Sequence, residues 1–445
     1  MGKLFGTDGI RGKANEYPVT AAMAEKLGGA VVKVLGDGGD DVTVLIGRDT
    51  RESGPILEEG LTRGLISHGA KVVLLGVVPT PAVALLVRQL NATAAVMLTA
   101  SHNPFEDNGM KIFASDGYKL PDDLEEKIES LLLAEESPGN FSARNIKVDY
   151  AEGISDYVNM AKSSVDGLNL GGLKIVLDAG NGAGYQAGPR IFRELGAEVV
   201  EMAVTPDGKN INANCGALHA AAAGKLVVEQ NAHLGISLDG DADRVIFTTA
   251  NGEVLSGDRV LALGALSLKK AGKLRHNSMV ATVMSNLGMD EALKAEGIDV
   301  IRAGVGDRLV LEEMRASDLC FGGENSGHLI FSDFATTGDG IMSALQVCKM
   351  MVDSGKTLEE LASVMNEYPS ELLNLSVGSK PPLESLTKLQ NLIKEAEQEF
   401  QNSGRQLIRY SGTENKIRVL VEHKEAATVE RWIGKFKEVI AEELG

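Results

Sequence analysis

Short apolar runs alternate with amphipathic stretches along almost the whole chain. Runs at 42–46, 71–75 and 94–98 read as buried strands, and 55–68 as an intervening helix. Apolar strands separated by helices predict βαβ units on a largely parallel sheet covered on both faces. The pattern stops in a polar, acidic segment, 135–149, which contains Ser137-Pro138-Gly139-Asn140, and a domain boundary is expected there. It resumes with strands at 173–177 and 198–204 around a helix at 189–195, followed by a strand at 234–238. Asn251-Gly252 marks a turn. A helix at 258–268 then opens a third unit with strands at 279–283 and 298–302. Beyond about residue 366 the character changes. Strands at 372–377, 406–410 and 416–422, a helix at 383–400 and a terminal helix predict a compact α+β module. The expected architecture is α/β: three similar α/β domains with mixed, largely parallel sheets and a smaller C-terminal α+β domain. The expected boundaries are 1–150, 151–253, 254–367 and 368–445.

Length alone suggests fewer domains, since 445 residues at ~150 per domain make about three. It is the change of pattern that argues for a fourth. Charge changes the picture more. With 44 Lys+Arg against 62 Asp+Glu, the net charge of −18 argues against an extended nucleic-acid or anionic-membrane surface. A small phosphorylated ligand needs only a local basic pocket and stays allowed. Glycine is abundant at 51 residues and aromatics are scarce at 4%, which turns attention to loops. The three cysteines are sparse and not at metal-ligand spacing, so neither a disulfide framework nor a zinc site is expected. No signal-peptide run and no apolar stretch of ~18 residues occurs, and a soluble cytoplasmic protein is expected.

Four loops carry candidate chemistry. Asp239, Asp241 and Asp243 put three carboxylates on one turn after a buried strand, a self-repelling cluster that a hard divalent cation such as Mg²⁺ would relieve. It is not an EF-hand, because Arg244 and Ala250 stand where Gly and Glu are required. A solvated acidic turn is the alternative. Ser101 follows the strand at 94–98 and precedes His102-Asn103-Pro104. The serine could equally cap a helix or stabilise an Asn-Pro turn. It is not a hydrolase elbow, since Thr99 and Asn103 replace the flanking glycines. Lys111, ten residues on, could return to the same place as an acid or base. In 323–328, Glu324, Ser326 and His328 alternate; if the segment is extended they share one face, which suits vicinal sugar hydroxyls. A polar glycine turn is the alternative. Arg409, Ser411, Gly412, Thr413 and Arg418 supply guanidinium forks, hydroxyls and glycine backbone, the parts of a phosphate cradle or of a solvated turn. No Walker motif occurs, and 180–184 fails the dinucleotide fingerprint because Tyr185 occupies the third glycine position.

These loops, in this order, resemble the α-D-phosphohexomutase superfamily, with one motif loop per domain around a central cleft. The opening Phe5-Gly6-Thr7-Asp8-Gly9-Ile10-Arg11-Gly12 is similar to that family's N-terminal motif. Asn210-Ile211-Asn212, Cys215-Gly216 and Thr336-Thr337-Gly338-Asp339-Gly340 resemble the bacterial branch that acts on glucosamine phosphates. Tyr410 and Asn415 depart from the pattern by standing where prolines are commoner, which bears on loop rigidity rather than on phosphate binding. The resemblance implies an isomerase with Ser101 as phosphoserine and one Mg²⁺ per subunit held by Asp239, Asp241, Asp243 and the Ser101 phosphate. It implies Lys111, Arg11, Arg244 and His102 in catalysis. Glu324, Ser326 and His328 would bind sugar hydroxyls, and Arg409, Ser411, Gly412, Thr413 and Arg418 the distal phosphate. It further implies a phosphorylated hexosamine substrate, glucose or glucosamine 1,6-bisphosphate as activator, a role in amino-sugar and cell-wall precursor supply, and a homodimer as a candidate assembly. A phosphomannomutase or phosphoglucomutase of the same superfamily, a Mg²⁺-dependent phosphatase using Asp239, and a non-catalytic phosphosugar binder are the rival readings.

Overall fold

Four sheets order the chain. The computed structural model describes residues 4–6, 8–36, 41–134, 147–411 and 415–444. The first sheet comprises β1 (Phe5–Gly6), β2 (Gly9–Lys13), β3 (Thr43–Arg48), β4 (Lys71–Val77), β5 (Ala94–Leu98), β6 (Asp107–Ala114) and β7 (Lys147–Asp149), in the order β1-β2-β6-β5-β3-β4-β7. Pairing is parallel from β5 to β7 and antiparallel from β1 to β5. β7 falls inside the segment read as a boundary: its side chains are exposed, so no apolar pattern announces it, yet its backbone pairs with β4. Residues 135–146 of that segment lie outside the described residues. Helices Ala21–Leu35 and Gly54–Ser67 cover the sheet and bury Leu27, Val31, Leu57, Leu61 and Leu65 in its core.

The second sheet has the order β11-β10-β8-β9, with β8 (Lys174–Asp178), β9 (Glu198–Met202), β10 (Leu234–Leu238) and β11 (Val245–Thr249). The third has the order β13-β12-β14-β15, with β12 (Ser278–Thr282), β13 (Asp299–Ala303), β14 (Phe321–Gly323) and β15 (Leu329–Phe331). β8, β9 and β10 pair in parallel, as do β12 with β13 and β14; β11 and β15 are antiparallel additions. The fourth sheet, β16 (Ser370–Ser376), β17 (Gly404–Tyr410) and β18 (Lys416–His423), is wholly antiparallel with β18 central, backed by helices Thr387–Phe400 and Ala426–Leu444 around Phe400, Trp432 and Phe436.

Two compact units result. One holds residues 1–284 and 297–364, and the other 285–296 and 365–445. The helix Leu287–Ala295, within the expected third domain, belongs to the second unit, where Leu287 N donates to Glu422 Oε1 at 2.7 Å. Among the described residues no helix is long and apolar enough to cross a membrane.

All four loops singled out above connect antiparallel neighbours: β5–β6, β10–β11, β14–β15 and β17–β18. Short connections allow no other pairing, because a parallel crossover needs a dozen or more residues.

Candidate active site

β5 is fully buried, and the chain leaves it through Thr99 and Ala100 to reach Ser101. Ser101 sits in the left-handed region at φ 52° and is 1% exposed. For a residue with a side chain that conformation costs roughly 1–2 kcal/mol and needs external support. Here the Ser101 N–H donates to Thr99 Oγ1 at 2.9 Å, and Ser101 Oγ donates to Asp239 Oδ2 at 2.6 Å. No helix follows, so the serine is not a helix cap; its hydroxyl is committed to a carboxylate 138 residues away. The two loops meet backbone to backbone at Gly240, where a Cβ would collide with Ser101 O. Beneath them a Cβ on Gly182 would lie 2.7 Å from Gly240 Cα, so the glycine-rich 180–184 segment serves as a close-packed support.

The turn after β10 gathers Asp239, Asp241 and Asp243, with one oxygen from each within 4.8 Å of the others and all three residues buried. Burial first, then Asp243 and Asp241, push Asp239 well above the usual carboxylate range. Asp241 Oδ2 accepts from Thr80 Oγ1 at 2.6 Å and from Lys111 Nζ at 2.9 Å. Asp241 Oδ1 and Asp243 Oδ1 are buried without a hydrogen-bond partner. Orphaned carboxylate oxygens in an all-oxygen donor set fit a hard divalent cation, and the acidic-turn alternative leaves them unexplained.

Register brings Lys111 here: it lies opposite Met97 on β5, so its side chain rises beside the Ser101 loop. It is 1% exposed and reaches Asp8 Oδ2 at 3.0 Å, Asp241 Oδ2 at 2.9 Å and Asp243 Oδ2 at 3.5 Å. Burial opposes its charge, but Asp241, Asp8 and Asp243 outweigh burial and keep it an ammonium. Burial likewise opposes the charge on Asp8, yet Lys111, Lys119 and Arg11 hold it well below the usual carboxylate range. Arg11 pairs with Asp8, and Lys119 bridges Asp8 and Asp307. His328 completes the cluster, with Nε2 3.8 Å from Asp307 Oδ2 and Nδ1 3.8 Å from Asp243 Oδ2. On the other side of Ser101, His102 Nδ1 lies 3.4 Å from Ser101 Oγ and 3.2 Å from Arg244 Nη1. Burial, then Arg244 and Arg11, pull His102 down to about 4, so its ring is neutral at pH 7.

The 324–328 segment departs from the extended form. Glu324 N donates to His328 O and Gly327 N to Glu324 O, with Gly327 at φ 90°, so it is a tight turn and does not align three side chains on one face. Glu324 Oε1 accepts from Gly306 N at 3.0 Å, and Ser326 Oγ is buried without a partner. His328 instead points inward and also accepts from Gly338 N at 3.1 Å. Sequence reasoning assigned no role to Asp8, Lys119 or Asp307. Asp8 stood inside the N-terminal motif, whereas nothing local marks Lys119 or Asp307.

In the second unit, Arg409 and Arg418 are directly opposed on β17 and β18. Burial first, then Arg418, lowers Arg409 below the usual guanidinium range. Like charges facing across a ladder are unfavourable on their own and suit an anion. Ser411 is buried beside them, its N–H on Lys416 O at 2.8 Å, while Gly412 and Thr413 lie outside the described residues.

Family models for phosphoglucomutase/phosphomannomutase match the chain in four consecutive parts: α/β/α domain I over 2–138, domain II over 149–252, domain III over 256–368 and the C-terminal domain over 372–439. A phosphoglucosamine mutase of Citrifermentans bemidjiense is 45% identical over 100% of this chain and 99% of its own length. A phosphoglucomutase/phosphomannomutase family protein of Burkholderia thailandensis has a similar structure, with TM-score 0.81, 24% identity and coverage of 98% of this chain and 97% of its own. The N-acetylphosphoglucosamine mutase of Aspergillus fumigatus, solved with GlcNAc-6P and magnesium, matches with TM-score 0.57 and 20% identity over 82% of this chain and 93% of its own.

Proposed function

The chain belongs to the phosphoglucomutase/phosphomannomutase family, and from that premise we propose that it is an isomerase interconverting glucosamine 6-phosphate and glucosamine 1-phosphate through phosphorylated Ser101. O1 of the sugar attacks the phosphorus, the Ser101 Oγ–P bond breaks, and glucosamine 1,6-bisphosphate forms. The bisphosphate turns end for end, Ser101 Oγ attacks the 6-phosphoryl group, and glucosamine 1-phosphate leaves. Glucose or glucosamine 1,6-bisphosphate would charge Ser101 at the outset.

Phosphoryl transfer depends on positioning and on neutralising charge on the transferred group. Asp239, Asp241, Asp243 and the Ser101 phosphate would hold Mg²⁺, which when bound supplies Lewis-acid neutralisation of phosphoryl oxygens. Lys111 and Arg244 contribute fixed positive charge on either side of Ser101, and Arg11 steadies Asp8, which anchors Lys111. Neutral His102, with Nδ1 between Arg244 and Ser101 Oγ, would help fix the position of the serine oxygen. The proton of the attacking hydroxyl passes to the oxygen that leaves, from O1 to Ser101 Oγ in the first transfer and from Ser101 Oγ to O6 in the second. Glu324 and Ser326 would bind sugar hydroxyls, with His328 holding their turn against Asp243. Arg409, Ser411, Gly412, Thr413 and Arg418 would bind the distal phosphate. Domain boundaries at 1–150, 151–253, 254–367 and 368–445, a cytoplasmic location and a homodimer complete the proposal.

One observation carries it: the Ser101 hydroxyl, on its left-handed corner, is hydrogen-bonded to the carboxylate cluster in a chain whose full-length relative is named phosphoglucosamine mutase. The same bond speaks against an aspartyl-phosphatase, because Asp239 is occupied by Ser101 and by Arg244 N. Intact-mass analysis with peptide mapping should find phosphate on Ser101, and glucosamine 1-phosphate should turn over faster than mannose or glucose 1-phosphate. Phosphate trapped on Asp239, or no preference for the amino sugar, refutes the reading.

A further inference from the structure

Arg51 is 1% exposed, and each of the five N–H donors of its guanidinium has its own acceptor. Nε donates to Asp49 Oδ2 at 2.8 Å. Nη2 donates to Ser101 O at 2.9 Å and to Asn103 O at 2.8 Å, and Nη1 donates to Asp107 O at 3.0 Å and to Pro104 O. Four of the five acceptors are therefore backbone carbonyls of the one segment that carries Ser101 from β5 to β6. Asp49 completes the grip from the other side. Its Oδ2 also accepts from Thr99 Oγ1 at 2.7 Å, and Thr99 Oγ1 accepts the Ser101 N–H at 2.9 Å. The carbonyl of Ser101, which also accepts from Asn212 Nδ2 at 3.0 Å, and its amide are thus both tied to one fully buried ion pair.

A buried ion pair is an unreliable source of stability, since apolar replacements often do as well. What a planar five-donor fork supplies is geometry: it sets four carbonyls in fixed relation, which the three donors of a lysine cannot do. The segment it holds contains a serine in a conformation that would otherwise relax toward negative φ. An error of about 1 Å at a reacting atom costs about 100-fold in rate. We infer that Arg51, acting with Asp49 and Thr99, is a positioning residue that keeps the Ser101 phosphoryl group aligned for transfer to the sugar rather than to water. This rests on Ser101 being the phosphoryl carrier.

The test uses the full chain with Arg51→Lys and Thr99→Val. Phosphate on Ser101 is quantified by intact mass. Single-turnover transfer to glucosamine 6-phosphate and release of inorganic phosphate are then measured per phosphoserine. The expected result is a drop of about 10- to 100-fold in transfer, without a parallel drop in hydrolysis, and with KM changed by less than about threefold because no sugar contact is removed. A purely structural role would lower the melting temperature or the folded yield and leave the transfer-to-hydrolysis ratio per phosphoserine unchanged, and that result overturns the inference. Should Arg51→Lys fail to fold, Thr99→Val, which deletes one hydroxyl, decides alone by the same ratio. An unaltered enzyme that never carries phosphate on Ser101 refutes the proposed function and this inference together. One that does carry it, with variants that match its ratio, refutes only the inference.

Discussion

At Ser101 the backbone strain and the chemistry share one set of supports. Alanine at this position would bear the same left-handed cost, so Ser101→Ala changes stability only through the lost hydrogen bond to Asp239. That loss is about 1 kcal/mol, the net worth of one hydrogen bond. The expected outcome is complete loss of isomerisation with a melting temperature within a few degrees of the parent. Measurable turnover in the variant, or global unfolding in circular dichroism, contradicts it. At this scale legibility followed chain separation. Asp239, Asp241 and Asp243 were readable because three carboxylates on one turn repel each other whatever surrounds them. Lys119 and Asp307 were not, because each is an ordinary charged residue until folding brings them together across 188 positions.

Among the elements, the helix Gly340–Ser354 shows how a cap can carry a pH dependence. Asp339 caps it by accepting from Met342 N at 2.9 Å, and it also accepts from Tyr157 Oη at 2.8 and 3.0 Å. Burial outweighs these donors and pushes its carboxyl up to about 6. Between roughly pH 4 and 6 the folded chain therefore keeps a proton that the unfolded chain has released. The stability tied to that proton is full below about pH 4 and is lost as pH rises through about 6. Asp339→Asn keeps the cap and removes the titration. Urea unfolding at about pH 4 and about pH 6.5 should show the parent losing up to about 3 kcal/mol relative to the variant; equal losses would refute the assignment. The expected parallel βαβ core was found, but each chemical loop lies at an antiparallel exception to it. Loop length held that information, since residues 99–106, 239–244, 324–328 and 411–415 are too few for a crossover.

The molecule as a whole divides into two compact units, and the division does not follow chain order. Glu422, 1% exposed on β18, accepts from Arg405 Nε at 2.8 Å and from Leu287 N at 2.7 Å, tying the helix Leu287–Ala295 into the C-terminal unit. Glu422→Ala removes a buried partner at a cost of about 3 kcal/mol. Differential scanning calorimetry should show the transition of the C-terminal unit falling while that of the larger unit holds. A shift of both together would show that the units melt as one. The sequence by itself determined the apolar core strands such as β3, β4, β5, β8 and β10, the four chemical loops and the family resemblance, because apolar periodicity, turn chemistry and clustered charge are local properties of the chain. Tertiary structure alone decided that 285–296 leaves its neighbours for the C-terminal unit, that 324–328 closes into a turn, and that Lys111, Asp8, Lys119, Asp307, His328 and Asp243 gather into one buried cluster of paired groups. Those outcomes depend on which distant surfaces are desolvated together, and burial is what turns ordinary side chains into strongly interacting ones.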